Sequence, residues 1–309
     1  MEKGQVNYLV GTGGWEHEVF DECFYPRTSL SSAEKLSYYA GFFETVEIRP
    51  TFWDETLKAE DAMPWVEAVA QARTFLFNVK LHGSFTHNRT VKRDVAKNTV
   101  GILRLLQDHQ RLDALLMQFP YEFTNTSSNR IHLARLAEIF RGFPVHVELR
   151  HDSWLAPSLK NFLAEIFLFP VNADMPRVKH FMPFSPNVAG ETAYLRLHGR
   201  NEKGWLLDNY EARYDYLYNA RELQELRRRL EALAVRCQQV IIICNNTAGG
   251  KAVATALQLT DMLRSERSGM KPLEIPAAAF HAFPVLHDIA TPFEQQGSLF
   301  GAGAFRAAM

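Results

Sequence analysis

Nine polar side chains of this sequence stand at or just past the ends of short apolar, β-prone runs: Glu47, Lys80, Gln118, Glu148, Arg150, Asp174, Arg196, His198 and Asn245. Trp15, Arg89, His151, Trp154, Asn246 and Lys251 follow within the adjoining loops. Carboxylates, an imidazole and several cations together suit proton transfer on an anionic substrate. In that chemistry Glu47 or Glu148 serves as general base, and His198 as acid or ligand, with Asp174 as a further catalytic carboxylate. Lys80, Arg89, Arg150 and Arg196 hold the anion, Gln118, Asn245 and Asn246 add hydrogen bonds, and Trp15 and Trp154 supply flat apolar faces. The alternative is a structural ion-pair network, but burying so many charges costs desolvation energy that their attraction often fails to recover.

Glu148 and His151 lie three apart, and Asp174 and His198 are candidates to join them as ligands for zinc, manganese or iron. There is no HExxH or Cys/His cluster, and Lys80, Arg150 and Arg196 would repel a cation in the same cavity. A divalent metal is therefore admitted but not favoured. The segment NNTAGGKA at residues 245–252 leaves a strand and enters a helix, an arrangement that can receive an anion.

The elements that must carry these groups are legible as periodicities. Strand-like runs occur at Val6–Gly11, Thr45–Arg49, Thr74–Lys80, Ala114–Phe119, Val145–Arg150, Phe169–Asp174, Ala193–His198 and Val240–Asn245. Amphipathic stretches at Ser31–Gly41, Asp94–His109, Asn129–Arg141, Ala220–Cys237 and Lys251–Arg264 predict helices, the first opened by a Ser31/Glu34 capping box. Strands alternating with helices imply parallel βα units, and eight of them predict a single (β/α)₈ TIM-type barrel of the α/β class. The barrel is expected over residues 1–270, with a Pro/Ala/Gly-rich C-terminal tail over 271–309. Residues 175–190 are Pro-rich and predict an irregular loop. Alternation inside the strands groups Glu47 with Thr45 and Arg49, Glu148 with His146 and Arg150, Arg196 with His198, Asn78 with Lys80, and Asp174 with Asn172. Since helices cover a barrel's outside, these polar faces are expected in the lumen, near the strand ends where such barrels build their sites.

The 309 residues carry 34 Lys+Arg against 35 Asp+Glu, so a protein that binds nucleic acid over its whole surface is excluded, though a local basic cleft is not. Three cysteines without a CxxC pair, no apolar leader pattern and no long apolar run lead to the expectation of a soluble, cytoplasmic chain without a membrane. Gln296-Gly297-Ser298-Leu299-Phe300 is similar to the peptide that binds the bacterial sliding clamp. There Gln296 would hydrogen-bond while Leu299 and Phe300 fill an apolar pocket.

Ordered motifs then point to a family. VGTGGWEHEVF with FYP, KLSYYAGFFETVEIRPTFW, FLFNVKLHGSFTHNR, LLMQFPYEF, VELRHDSW, AYLRLHGR, YDYLY and IIICNNTAGGKAV span roughly residues 8–264. In these the chain resembles the YecE-like family, domain of unknown function family 72. The resemblance implies a TIM-type barrel and leaves the reaction open. Ile-Arg-Pro after Glu47 replaces a small polar pair, and Thr247 stands where the family has Asp, which weakens a metal or base role at the eighth strand.

The leading expectation is a hydrolase or lyase acting on a phosphate-containing substrate, either a small molecule or nucleic acid. This follows the placement of Glu, Asp and His in the endonuclease IV and xylose isomerase group, a fold-level analogy. A non-catalytic module holding a sugar or nucleotide is one alternative. A metal-free carbohydrate-active enzyme using Glu47 and Glu148 as paired carboxylates is another.

Overall fold

A computed structural model describes residues 6–188, 190–207, 209–264 and 273–293. Its main sheet consists of β1 (Asn7–Thr12), β2 (Thr45–Ile48), β3 (Leu76–Lys80), β4 (Leu112–Gln118), β5 (Val145–Glu148), β6 (Leu168–Pro170), β7 (Asn172–Asp174), β8 (Thr192–Leu197) and β9 (Gln239–Cys244). Neighbouring strands are parallel, and the order β6-β5-β4-β3-β2-β1-β9-β8-β7 returns to adjacent segments of the chain. The expected sixth strand is thus present as two short pieces. Val171 N–H donates to the Val147 carbonyl (2.9 Å), after which Asn172 takes up its register with Leu195 of β8. The strand passes from one neighbour to the other at Val171, and this closes the barrel.

Helices cover the outside where the 3.6-residue period placed them. Arg93–Asp108 buries Val95, Thr99, Ile102, Leu103 and Leu106, one stripe of an amphipathic helix. Ser32–Tyr39 begins with the expected capping box, Ser31 N–H donating to Glu34 Oε2 at 2.8 Å and Glu34 N–H to Ser31 Oγ at 3.3 Å. The last long helix runs from Lys251 to Arg264, as its pattern predicts. Residues 175–188 are irregular, pinned by a bridge between His151 and Phe181 and by hydrogen bonds between Asn172 and Asn187. Among the described residues no helix is long and apolar enough to cross a membrane.

Two apolar regions result. The large one lies between strands and helices, and a small one of Ala114, Tyr194, Ile241 and Ile243 fills the barrel's interior. Residues 273–293 form a separate parallel pair, β10 (Leu273–Pro276) with β11 (Ala290–Phe293), flanking the short helix Ala277–Ala282. Ile275, Ala279 and Leu286 of this segment are fully buried in the large core, so it is packed against the barrel. Gln296, Leu299 and Phe300 lie outside the described residues.

One glycine is required by strand approach. A Cβ on Gly11 would lie 1.8 Å from the Thr45 carbonyl oxygen and 3.1 Å from the Tyr39 hydroxyl, which donates to that same carbonyl at 3.2 Å. Gly11→Ala must push β1 from β2 at the barrel seam. It is expected to destabilise by roughly 1–3 kcal/mol, the usual cost of overpacking, read as a lowered urea midpoint.

Candidate functional site

The site is organised by Arg196, which projects inward from β8 with only 1% of its surface exposed. Its Nε and Nη2 donate to Glu47 Oε2 and Oε1 at 2.9 and 2.8 Å, a bidentate pair across the barrel to β2. Nη1 donates to Glu148 Oε2 of β5 at 2.6 Å, and Nη2 also reaches Asn245 Oδ1 at 3.3 Å. One guanidinium therefore ties three strands and the loop after β9. Tyr194, one turn of the pleat below, donates to Glu47 Oε2 at 3.4 Å.

Glu148 is equally saturated. Arg150 Nε donates to Oε1 at 2.7 Å, and His198 Nε2 lies 3.1 Å from Oε2. Because Asn245 Oδ1 accepts from Arg196, its Nδ2 must be the donor to His198 Nδ1 (3.1 Å), which leaves His198 Nε2 to donate to Glu148. Burial alone would raise the Glu148 carboxyl, but Arg196, His198 and Arg150 outweigh it and hold it well below the usual carboxylate range. Burial brings His198 down to about 4 against the pull of Glu148, so at neutral pH the ring is uncharged. Each oxygen of Glu47 and Glu148, and each ring nitrogen of His198, already has a protein partner. The three groups expected to act as base and acid are thus brought together as one hydrogen-bonded framework, and an acid or base role for any of them would have to share or give up one of these bonds.

The mouth above this framework is different. Arg150 binds Glu148 through Nε alone, and among the described residues its two terminal nitrogens have no hydrogen-bond or ion-pair partner. Its guanidinium carbon lies 5.3 Å from the centre of the Trp205 ring, and Trp205 Nε1 is buried without a hydrogen-bond partner among the described residues. Lys80, at the end of β3, likewise has no hydrogen-bond or ion-pair partner among the described residues, and its Nζ sits 4.1 Å above the centre of the Phe52 ring. Burial brings Lys80 down to about 7, with Arg196 adding to the shift and Glu47 opposing it. Trp205 and Tyr214, 5.8 Å apart, roof His198 from the short helices Glu202–Leu206 and Tyr210–Tyr214.

Several expected members lie elsewhere. Asp174 faces outward, where it accepts from Arg200 Nε and Nη2 (2.8 and 2.9 Å), Arg229 Nη1 (2.9 Å) and Tyr218 (2.8 Å). On that strand the apolar residues point inward: Val171 joins the interior cluster and Ala173 packs near Met175, Trp205 and Tyr214. Assigning the polar parity to the lumen was wrong there because Arg200 and Arg229 neutralise the carboxylate on the outer side. His151 faces His180 and Tyr121, at centroid distances of 5.8 and 4.9 Å, away from His198. Among the described residues no three His, Cys, Asp or Glu side chains converge as metal ligands, so the proposed set of Glu148, His151, Asp174 and His198 is not brought together.

Trp15 and Trp154 are core residues, 1% and 0% exposed, their indoles donating to Ser32 and to the Phe123 carbonyl. Arg89 donates to Asn129 Oδ1 at 3.2 Å, and Gln118 to the neighbouring Phe119 carbonyl at 2.8 Å. Asn246 holds Tyr216 O and Thr255 Oγ1, both at 2.9 Å, and Lys251 pairs with Asp215 at the helix start expected to receive an anion. Trp205 and Tyr214 were missed as site residues. The YDYLY motif, which begins at Tyr214, hinted at the tyrosine, and no motif pointed to Trp205.

Comparison with known proteins agrees with this architecture. The chain is 28% identical over 284 residues to the UPF0759 protein YunF of Bacillus subtilis, covering 86% of this chain and 98% of that protein. A DUF72 family crystal structure from Thermotoga maritima matches with a TM-score of 0.73 and 30% identity over 84% of this chain and 99% of its own. One from Enterococcus faecalis shares the fold with a TM-score of 0.71 at 24% identity, over 83% and 95% of the two chains. Residues 9–279 match the family described as protein of unknown function DUF72, and with this TIM-type barrel the chain belongs to that family.

Proposed function

We propose that the barrel mouth is an enzyme active site, a hydrolase or lyase, that binds a phosphate-containing substrate through Arg150. The observation that carries this reading is the half-engaged Arg150: Arg196 binds both Glu47 and Glu148, and among the described residues Arg150 pairs with Glu148 through Nε alone. Guanidinium donors left unpaired in a low-dielectric cavity are costly, and an anionic ligand relieves that cost. A guanidinium anchored by Nε and open at both terminal nitrogens presents the fork that fits two phosphate oxygens. The orphaned Trp205 N–H lies beside it as a neutral donor. With both glutamates locked in ion pairs, Lys80 is the group in the mouth suited to accept a proton, since half of it is neutral near its pKa of about 7. The geometry favours a small phosphorylated molecule over a nucleic acid, since the unpaired cations are sunk within the barrel mouth.

Inorganic phosphate should raise the melting temperature of the protein, with sodium chloride at equal ionic strength as the control. The stabilisation follows saturation, roughly 2.7 kcal/mol at a hundred times Kd. Arg150→Met should abolish the phosphate-specific rise, and Arg150→Lys should reduce it because a point charge replaces the fork. A rise that survives in Arg150→Met would overturn the assignment.

Arg196→Met should behave differently. Leaving Glu47 and Glu148 buried without their shared cation is expected to cost about 3–5 kcal/mol of folding stability. Urea unfolding measures this directly. An unchanged midpoint would show that the guanidinium is not the framework.

The pH dependence of stability tests the state of Lys80. Its folded value of about 7 lies below the roughly 10.4 of an unfolded lysine. Between those values the unfolded chain holds a proton that the folded one has released, so this group's contribution to stability rises with pH. Lys80→Met removes that penalty. Its advantage over the wild type should be largest at or below pH 7 and shrink as the pH approaches 10.

A further inference from the structure

We propose that Lys80 is a nucleophile whose Nζ forms an imine with the carbonyl carbon of a phosphorylated aldehyde or ketone bound at Arg150. This deepens the phosphate-binding reading and rests on it. An imine-forming amine must keep its lone pair free of carboxylates, stay close to neutral, and face the same cavity as the substrate's anchor.

Lys80 meets the first two conditions, and its Nζ lies near enough to Arg150 for their charges to interact. Among the described residues no carboxylate lies within ion-pairing distance of Nζ, since Glu47 and Glu148 are both turned to Arg196. Phe52 forms an apolar floor 4.1 Å beneath the amine, and its ring is held edge-on by His87 at a centroid distance of 5.0 Å. Gly83 leaves room for that ring, since a Cβ there would stand 3.1 Å from Phe52 Cζ. The backbone is fixed as well: Thr51 Oγ1 donates to the Lys80 carbonyl at 2.7 Å. Arg196, Arg49 and Arg150 surround the amine with positive charge, which together with burial favours its neutral form.

The reaction balances without any further co-reactant. The Nζ lone pair attacks the carbonyl carbon, and the C=O π pair moves to oxygen, which takes a proton released by the new ammonium. The carbinolamine hydroxyl takes a second proton from solvent and leaves as water, giving an iminium ion on Lys80. When the substrate carries a β-hydroxyl, the iminium takes the Cα–Cβ electron pair as that bond breaks, and the hydroxyl gives its proton to solvent and departs as a second carbonyl compound. The resulting enamine takes a proton from solvent at Cα to become an iminium again, the sequence a lyase needs. Water then hydrolyses the iminium and restores the amine. The substrate's phosphate, on Arg150, offsets the positive charge that the iminium returns to the cavity.

The test is reductive trapping of the full chain at pH 7 with sodium cyanoborohydride, using glycolaldehyde phosphate in one arm and glycolaldehyde in the other. Peptide mass mapping then gives the rate of alkylation at each lysine. At pH 7 an ordinary lysine is neutral in roughly one molecule per few thousand. Lys80 should therefore be modified at least about tenfold faster than the exposed Lys97 and Lys160. The phosphorylated aldehyde should label Lys80 about tenfold faster than glycolaldehyde, and inorganic phosphate should remove that advantage. Labelling of Lys80 no faster than Lys97 and Lys160 overturns the imine, even if phosphate still stabilises the fold through Arg150. Fast labelling by both aldehydes alike supports the imine but overturns the phosphorylated substrate, and with it the phosphate-binding reading.

Discussion

Arg196 couples the barrel's closure to its chemistry. A guanidinium 1% exposed binds Glu47 of β2 on one edge and Glu148 of β5 on the other, with Asn245 of the loop after β9 as a third partner. These strands lie on different sides of the cylinder, so the ion network forms only when the sheet has closed. Once formed it fixes Glu148, which in turn orients His198 and the Nε of Arg150. In a low-dielectric interior each of these bonds is costly to leave unmade. The network therefore acts as an all-or-none support for the geometry of the mouth.

Every oxygen of Glu47 and Glu148 already accepts from Arg196, Arg150, His198 or Tyr194, whereas the groups above them are less engaged. Arg150 is half-engaged and Lys80 is unengaged. The buried framework thus prepares a cationic mouth, roofed by Trp205 and Tyr214 from the two short helices after β8. A second ion network lies outside the barrel wall, where Arg200 joins Asp174 to Glu225. It anchors the segment that leads into the roof, so the roof's position depends on charge pairing on the far side of the same strands.

The chain's 284-residue match to YunF and the fold shared with two DUF72 structures make the barrel a family property. Membership in that family does not prescribe a reaction. An anionic, carbonyl-bearing substrate would suit the terminal nitrogens of Arg150 and the Nζ of Lys80, which have no hydrogen-bond or ion-pair partner among the described residues.

The sequence by itself determined the elements. β-Branched runs with period two gave the strands, amphipathic stretches gave helices such as Lys251–Arg264, and the Ser31/Glu34 cap fixed a helix start, because these signals are local. It also placed Glu47, Glu148, Arg150, Arg196, His198, Lys80 and Asn245 at the strand ends, where the structure groups them. Tertiary structure alone decided who binds whom. Arg196 and Glu47 are 149 residues apart in sequence, and nothing local says that one guanidinium will satisfy two glutamates. The same limit explains Asp174, whose outward turn toward Arg200 and Arg229 depends on a helix 55 residues later. Trp15 and Trp154 resembled stacking residues but became core, because a large ring beside a loop packs wherever neighbouring elements leave an apolar slot. Periodicity reports which face a residue shares, whereas charge compensation across a closed barrel selects its partner, and that selection requires the assembled fold.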